Sequence, residues 1–245
     1  MDCDILHYES NKWEKSNTSH FAYLDKLTKM INQKYAPDKI VREMVANFCA
    51  YGGDAEIAGM LYRYEIYKRV LNLNGNIGEI GVYKGSSFLF WAKLVKIFEP
   101  YNSTQVYGFD WFKGMEPKEG DDSNQQGKYV GSYEELKNLI EWQEMEDIAM
   151  LFQMNVITDS KKFMKARPYL RFKILYIDCG IKEVMEAAFE SFYPRLVKGG
   201  ILMMDHFNYA VSPSESDIVE KYIGGNTIHQ EAFARQPTGY IIKES

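Results

Sequence analysis

Four acidic residues, Glu79, Asp110, Asp178 and Asp205, stand at or near the ends of apolar runs, and His206 follows the last of them. Open α/β sheets bind ligands beyond the carboxyl ends of their strands, so acids in these positions are placed for chemistry. Glu79 opens Glu79-x-Gly81-x-x-x-Gly85, with Tyr83 and Lys84 inside the turn and Ser86-Ser87 after it. Gly81 and Gly85 let backbone pass close to a ligand, and the helix opened by the serines offers its first amides. The spacing is not the Gly-x-Gly-x-x-Gly of pyrophosphate sites, and Lys84 precedes Gly85 where a phosphate loop has Lys after Gly. The turn therefore suits a ligand carrying a carboxylate and an amine. Asp110, 25 positions after Gly85, can accept both hydroxyl protons of a ribose. The alternative readings are Glu79 as a structural acid fixing the turn and Asp110 as a helix cap or solvated strand end.

Asp178, Asp205 and His206 end two further strands and can converge. A hydroxyl nucleophile needs a general base, and histidine titrates nearest neutrality. His206 is the leading base, oriented by Asp178 or Asp205. Alternatively Asp178, Asp205 and His206 hold a divalent cation, a carboxylate and imidazole set compatible with Mg2+ or Mn2+. Trp111 and Phe112 offer an aromatic face to a base or belong to the core. His7, His20 and His229 have no motif around them and read as surface or packing residues.

These residues need a scaffold. Phe21, Leu24, Leu27 and Ile31 repeat at helical spacing from residue 18; Pro37 leads a second helix stopped by Gly52-Gly53, and Asp54 caps a third through Leu71. Strands are expected at 76–80, 105–109, 148–153, 172–177 and 200–204, with helices at 86–98, 132–146, 159–167 and 182–194 between them, the alternation of a mostly parallel sheet. Ser132-x-x-Glu135 is a capping box, and Ser212-Pro213-x-Glu215 starts another helix. Segments 228–234 and 239–243 read as a closing hairpin. Residues 111–131 are too long and polar for an ordinary connection and read as a lid or a disordered stretch.

The 245 residues, 46% hydrophobic, fit one α/β domain with an N-terminal helical segment, divided here as 1–74 and 75–245. The 29 basic and 34 acidic residues give a net charge of −5 with no dense Lys/Arg run, which argues against nucleic acid as a partner. Cys3, Cys49 and Cys179 are far apart and make neither a zinc site nor a disulfide framework. No apolar run approaches the roughly 18 residues of a membrane span, so a soluble, cytoplasmic protein is expected.

Four ordered segments carry a resemblance: Glu79 to Gly85, Val106 to Met115, Leu175 to Asp178, and Phe192 to Gly200 running into Met204-Asp205-His206-Phe207. Across about residues 75–210 the chain resembles class I S-adenosylmethionine-dependent methyltransferases, and more narrowly the macrocin O-methyltransferase family. That resemblance implies a Rossmann-like α/β fold with a seven-stranded mostly parallel sheet, an antiparallel C-terminal hairpin and an N-terminal helical segment. It implies S-adenosylmethionine bound by Glu79, Gly81, Tyr83, Gly85, Ser86, Ser87, Asp110, Trp111, Asn155 and Asp178, with Asn155 toward the adenine edge. It also implies methyl transfer to a hydroxyl of a small polar metabolite, a sugar or nucleotide-activated sugar, with N-methylation open. The N-terminal helices would supply substrate contacts, Arg63 and Tyr64 among them, and in a homo-oligomer subunit contacts. The family's second acids are replaced here by Gly180 and His206. Two alternatives stand beside this reading, a methyltransferase-fold binding protein without turnover and a nicotinamide-dependent oxidoreductase.

Overall fold

Short apolar runs alternating with amphipathic segments from residue 76 onward build one sheet covered on both faces. The computed structural model describes residues 3–34, 36–119, 121–208, 213–224, 227–234 and 236–244. The strands are β1 (Asn76–Ile80), β2 (Val106–Asp110), β3 (Ala149–Gln153), β4 (Phe172–Ile177), β5 (Leu196–Met204) and β6 (Gly239–Ile242), in the order β3-β2-β1-β4-β5-β6. β1 to β5 are parallel and β6 is antiparallel to β5. The direction of winding reverses between β1 and β4, which makes that junction the binding crevice of such a sheet.

Among the described residues the sheet has six strands, not seven. Of segment 228–234 only His229 bridges, to Tyr240. The chain then turns, with the Ala234 amide donating to the Glu231 carbonyl, and Glu231 pairs with Arg69 at 2.8 Å instead of extending the ladder.

The helices are α1 (Cys3–Lys34), α2 (Pro37–Ala46), α3 (Phe48–Tyr51), α4 (Asp54–Val70), α5 (Ser86–Phe98), α6 (Tyr133–Trp142), α7 (Val156–Lys165), α8 (Lys182–Ser191) and α9 (Ser214–Tyr222). α1 starts well before the expected residue 18. The helix expected to run from Pro37 to Gly52 breaks at Asn47, whose side-chain amide donates to the Glu43 carbonyl and competes with the helical ladder. α7 starts three residues early because Asn155 caps it, its side-chain oxygen accepting from the Ile157 amide. Ser132 caps α6 as expected, accepting from the Glu135 amide. Ser212 lies outside the described residues, and the residue preceding α9 is Pro213.

Side chains alternate across a strand, so each face collects every second residue. One face joins Ile77, Ile174, Tyr176, Ile201 and Met203 to Tyr62, Ile66 and Val70 of α4 and to Phe88, Trp91 and Val95 of α5. The other joins Ile80, Phe109, Leu175, Ile177, Leu202 and Met204 to residues of α7, α8 and α9. α4 thus shares a core with the sheet, whereas α2 leaves Val41 and Val45 largely exposed.

At the amino end of the sheet a lysine is fully buried. Lys173 Nζ lies 2.7 Å from Glu99 Oε1, and Tyr67 and Thr104 donate to the same carboxylate at 2.5 and 2.7 Å. Burial alone would raise the Glu99 pKa, but the hydrogen bonds from Lys173, Tyr67 and Thr104 outweigh it and hold it below the ordinary value. A depressed carboxylate stabilises the fold fully above its unfolded pKa of 4.5 and loses that contribution as the pH falls through the folded value.

Residues 111–131 are tied down by Asp121. Its Oδ2 accepts from the Lys118 amide, and its Oδ1 accepts from the Lys182 amide at 3.0 Å and the Ser214 hydroxyl at 2.8 Å. Neither α8 nor α9 has a side-chain cap on its own preceding residue, so one loop carboxylate serves the first residues of both helices.

Two outcomes are expected. Lys173→Met leaves the Glu99 carboxylate buried without its cation and costs about 3–5 kcal/mol in urea denaturation at pH 7. Asp121→Ala removes a cap worth about 0.5–2 kcal/mol and speeds tryptic cleavage after Lys118, followed by mass spectrometry.

Candidate active site

Register brings the acidic residues together. Ile80 pairs with Phe109 on one side and Ile177 on the other, and Ile177 pairs with Met204. The next residue on each strand or turn therefore lies in one row: Asp110, Gly81, Asp178 and Asp205. The ladder extends to them, with Gly81 N donating to Phe109 O, Asp178 N to Ile80 O and Asp205 N to Ile177 O. By alternation Asp178 follows Tyr176 onto the face covered by α4 and α5, and Asp205 follows Met203.

The Tyr176 hydroxyl joins this row, 2.7 Å from Asp205 Oδ1 and 3.1 Å from Asp178 Oδ2. From α4, Arg63 Nη2 donates to the same hydroxyl at 3.2 Å and Nη1 donates to the Gly59 carbonyl. Arg63 also stacks its guanidinium over the Tyr176 ring, 5.2 Å from the centroid. Burial and the Asp205 charge push Asp178 well above the ordinary carboxylate range, against the pull of His206 and Arg63. For His206 burial favours the neutral form, but Asp205, Glu215 and Asp178 prevail and raise it to about 9. The His206 amide donates to Glu215 Oε2, and His206 Nδ1 lies 3.4 Å from Asp205 Oδ2 and 3.8 Å from Glu215 Oε1.

Glu79 is fully buried beneath the glycine turn. Ser87 Oγ donates to its Oε1 at 2.7 Å, and its Oε2 makes no hydrogen bond of ordinary geometry. Burial raises its pKa to about 8 despite Ser87, Arg63 and Trp91. Gly85 precedes α5 in a left-handed conformation, φ 82°, and no side chain caps the helix. A cavity of about 340 Å³ opens here, lined by Ser86, Ser87, Asp178 and Asp205 on the sheet side and by His20, Phe48, Glu56, Met60 and Arg63 on the helical side, with Phe90 and Gln236 at its borders.

The expected residues divide on this geometry. Ser86, Ser87, Asp178 and Asp205 line the cavity, Glu79 and His206 lie within hydrogen-bonding reach of its lining residues Ser87 and Gln236, Gly81 abuts Asp178, and Tyr83 and Gly85 stand outside it. Asp110 lies in the row but is engaged by backbone, accepting from the Tyr83 amide at 2.8 Å and the Phe112 amide at 2.7 Å. Trp111 donates its indole N–H to the Gly114 carbonyl, and Phe112 is a core residue packed edge-on against Tyr133, which removes it as an aromatic platform. Asn155 spends its side-chain oxygen on the α7 cap. Asp110, Trp111 and Asn155 do not line the cavity. His20, expected as a surface or packing residue, instead lines it and lies 3.1 Å from Glu56. Tyr176, Glu215 and Gln236 were not expected at the site. The first was open to inference, since it sits two residues before Asp178 on the same strand face.

Comparison with known proteins bears on this arrangement. The sequence profile of a family described as a methyltransferase domain matches residues 79–207, more than half of the chain. The chain belongs to this methyltransferase family. As a methyltransferase it shares its fold with the crystal structure of CalS11, calicheamicin methyltransferase, at 23% identity and a TM-score of 0.80 over 91% of this chain and 92% of that one. The apo structure of CalS11, described as a TDP-rhamnose 3'-O-methyltransferase, aligns with a TM-score of 0.76 at 23% identity over 91% and 94%. The O-methyltransferase NovP aligns at 17% identity and a TM-score of 0.66 over 77% and 81%. A search of curated protein sequences found no match to this methyltransferase.

Class I methyltransferases take their methyl group from S-adenosylmethionine, whose sulfonium and ammonium are both cationic. The methyltransferase has a wall that fits such a group, because Glu79 and Asp205 are buried there with Asp178 beside them and Glu79 Oε2 makes no hydrogen bond of ordinary geometry. The turn that frames this wall tolerates no side chain at Gly81. With φ at 88°, a Cβ there would lie 2.0 Å from the Asp178 carbonyl oxygen. Gly81→Ala is expected to cost more than about 2 kcal/mol and to abolish S-adenosylhomocysteine binding, checked by thermal denaturation and calorimetry.

Proposed function

We propose that this methyltransferase transfers a methyl group to a hydroxyl of a small polar metabolite, a sugar or nucleotide-activated sugar. The observation that carries the reading is the convergence of Asp178, Asp205 and His206 at one end of a cavity whose other wall is helical. Phe48 and Phe90 give that cavity apolar faces, and the His20–Glu56 pair gives it hydrogen-bonding groups, a combination suited to a sugar ring. TDP-rhamnose, the substrate in the description of CalS11, is an acceptor of this class. Residues 1–74 serve as a helical cap on the acceptor side, and 75–245 as the cofactor-binding domain.

Bound S-adenosylmethionine supplies an electrophilic methyl carbon on sulfur, open to in-line displacement. The chain's own part is chiefly alignment, which supplies about 7–11 kcal/mol where two reactants are held in attack geometry. Glu79, the Gly81 to Gly85 turn and the first amides of α5 bind and orient the donor, and Asp110 shapes the turn through the Tyr83 amide. Asp110, Trp111 and Asn155 would meet the adenosine part outside the cavity. The acceptor proton leaves toward Asp178, Asp205 and His206. With its acidic neighbours around it His206 holds a proton at neutral pH, so it serves as a base only when their negative charge is offset. Asp178, Asp205 and His206, whose ligand atoms lie within 4.8 Å of one another, fit a divalent cation, Mg2+ or Mn2+, which when bound supplies Lewis acidity toward a hydroxyl.

Calorimetric titration with S-adenosylmethionine, S-adenosylhomocysteine and NADH is the direct test. Micromolar binding of the first two alone is expected, and binding of NADH alone overturns the reading. With nucleotide-activated sugars as acceptors, release of S-adenosylhomocysteine is expected. His206→Ala should lower its rate by about 10²–10⁴ while leaving S-adenosylhomocysteine affinity unchanged; an unchanged rate removes His206 from the chemistry.

A further inference from the structure

Gln236 enters the site from the segment between the His229 bridge and β6. The Thr238 amide donates to the carbonyl of Met204, the residue before Asp205, so this segment is fixed against the very strand end that carries the cluster. The Gln236 Nε2 lies 3.0 Å from Asp205 Oδ2 and 3.1 Å from His206 Nε2. Any ion shared by these two residues must therefore meet this carboxamide.

We propose that Gln236 is a fourth protein ligand of a divalent cation at the Asp178, Asp205 and His206 cluster, turning its amide so that Oε1 replaces Nε2 when the ion enters. The proposal rests on the reading of that cluster as a cation site. Three features support it. First, Tyr176 occupies Asp205 Oδ1 and Asp178 Oδ2, which leaves Asp205 Oδ2 facing Gln236. Second, an NH2 group donating to the Asp205 carboxylate suits the ion-free cluster and repels a cation. Rotation of the carboxamide about its last bond exchanges nitrogen for a neutral, hard oxygen at nearly the same place. Third, two carboxylates, one imidazole and one amide oxygen fill four of the six positions that Mg2+ or Mn2+ prefers, leaving two for water and an acceptor hydroxyl. Gln236 then contributes a ligand where the chain has Gly180, His206 already filling the position after Asp205.

The test uses Mn2+ as the probe, with free ion followed by electron paramagnetic resonance in the presence of S-adenosylhomocysteine. Gln236→Leu should weaken Mn2+ binding about tenfold or more, and Gln236→Glu, which adds a third carboxylate, should tighten it about tenfold. Affinity for S-adenosylhomocysteine, measured by calorimetry, should stay within about twofold and reports that each variant is folded. Saturable Mn2+ binding by the native protein with equal affinity in both variants overturns the role of Gln236 alone. Absence of saturable binding in the native protein, or binding unaffected by Asp205→Asn, overturns the cation reading and this proposal with it.

Discussion

Three adjacent strands each deliver a carboxyl group to the same wall, and the packing above the sheet has to bring partners to that crowded cluster. Glu79 lies in β1, and Asp178 and Asp205 follow β4 and β5, in a register that brings all three to one end of the sheet. Unpaired buried carboxylates are costly. Arg63, carried in by α4, contributes the guanidinium, and Tyr176 spreads the interaction by placing one hydroxyl between Asp178 and Asp205. α4 is thus tied to the sheet by Tyr62, Ile66 and Val70 in the core and by a polar contact at its mouth.

The two ends of the sheet treat buried charge differently. At the amino end Lys173, Tyr67 and Thr104 saturate Glu99, and the result is stability with no chemistry left over. At the carboxyl end Glu79 Oε2, Arg63 Nε and Glu215 Oε1 are buried without a hydrogen bond of their own. Buried polar groups are nearly always paired, so Arg63 Nε on the cavity wall and Glu79 Oε2 behind Ser87 are groups left for a bound molecule to engage. Burial raises the proton affinities of Glu79 and Asp178, and the acids around His206 raise its own.

Much of this was legible in the sequence because strand ends and turns are local. The β1 strand, its glycine turn, the acids of β2, β4 and β5, and the antiparallel last strand all follow from apolar runs and their punctuation. Helix limits were less legible where a side chain competes with the backbone, as Asn47 and Asn155 do. The role of His20 was misjudged, and that of Phe112 left open, for a different reason. Whether an aromatic ring enters the core, or a helix turns a histidine toward a cavity, depends on tertiary packing that periodicity does not encode. Gln236 was the least visible, since it sits in a segment expected to be a hairpin turn and acquires its contacts only when that segment folds back over Asp205.

The bond between Arg63 and Tyr176 spans 113 residues, and Gln236 reaches Asp205 from 31 residues further along the chain. During synthesis α4 is complete long before β4 and β5 exist, so its apolar stripe and its guanidinium must wait for partners that emerge from the ribosome much later. Non-local contacts of this kind slow folding and leave apolar surface transiently open. The polypeptide therefore acquires its protective packing in stages, and that end of the sheet is closed only after β5, by the segment that carries Gln236.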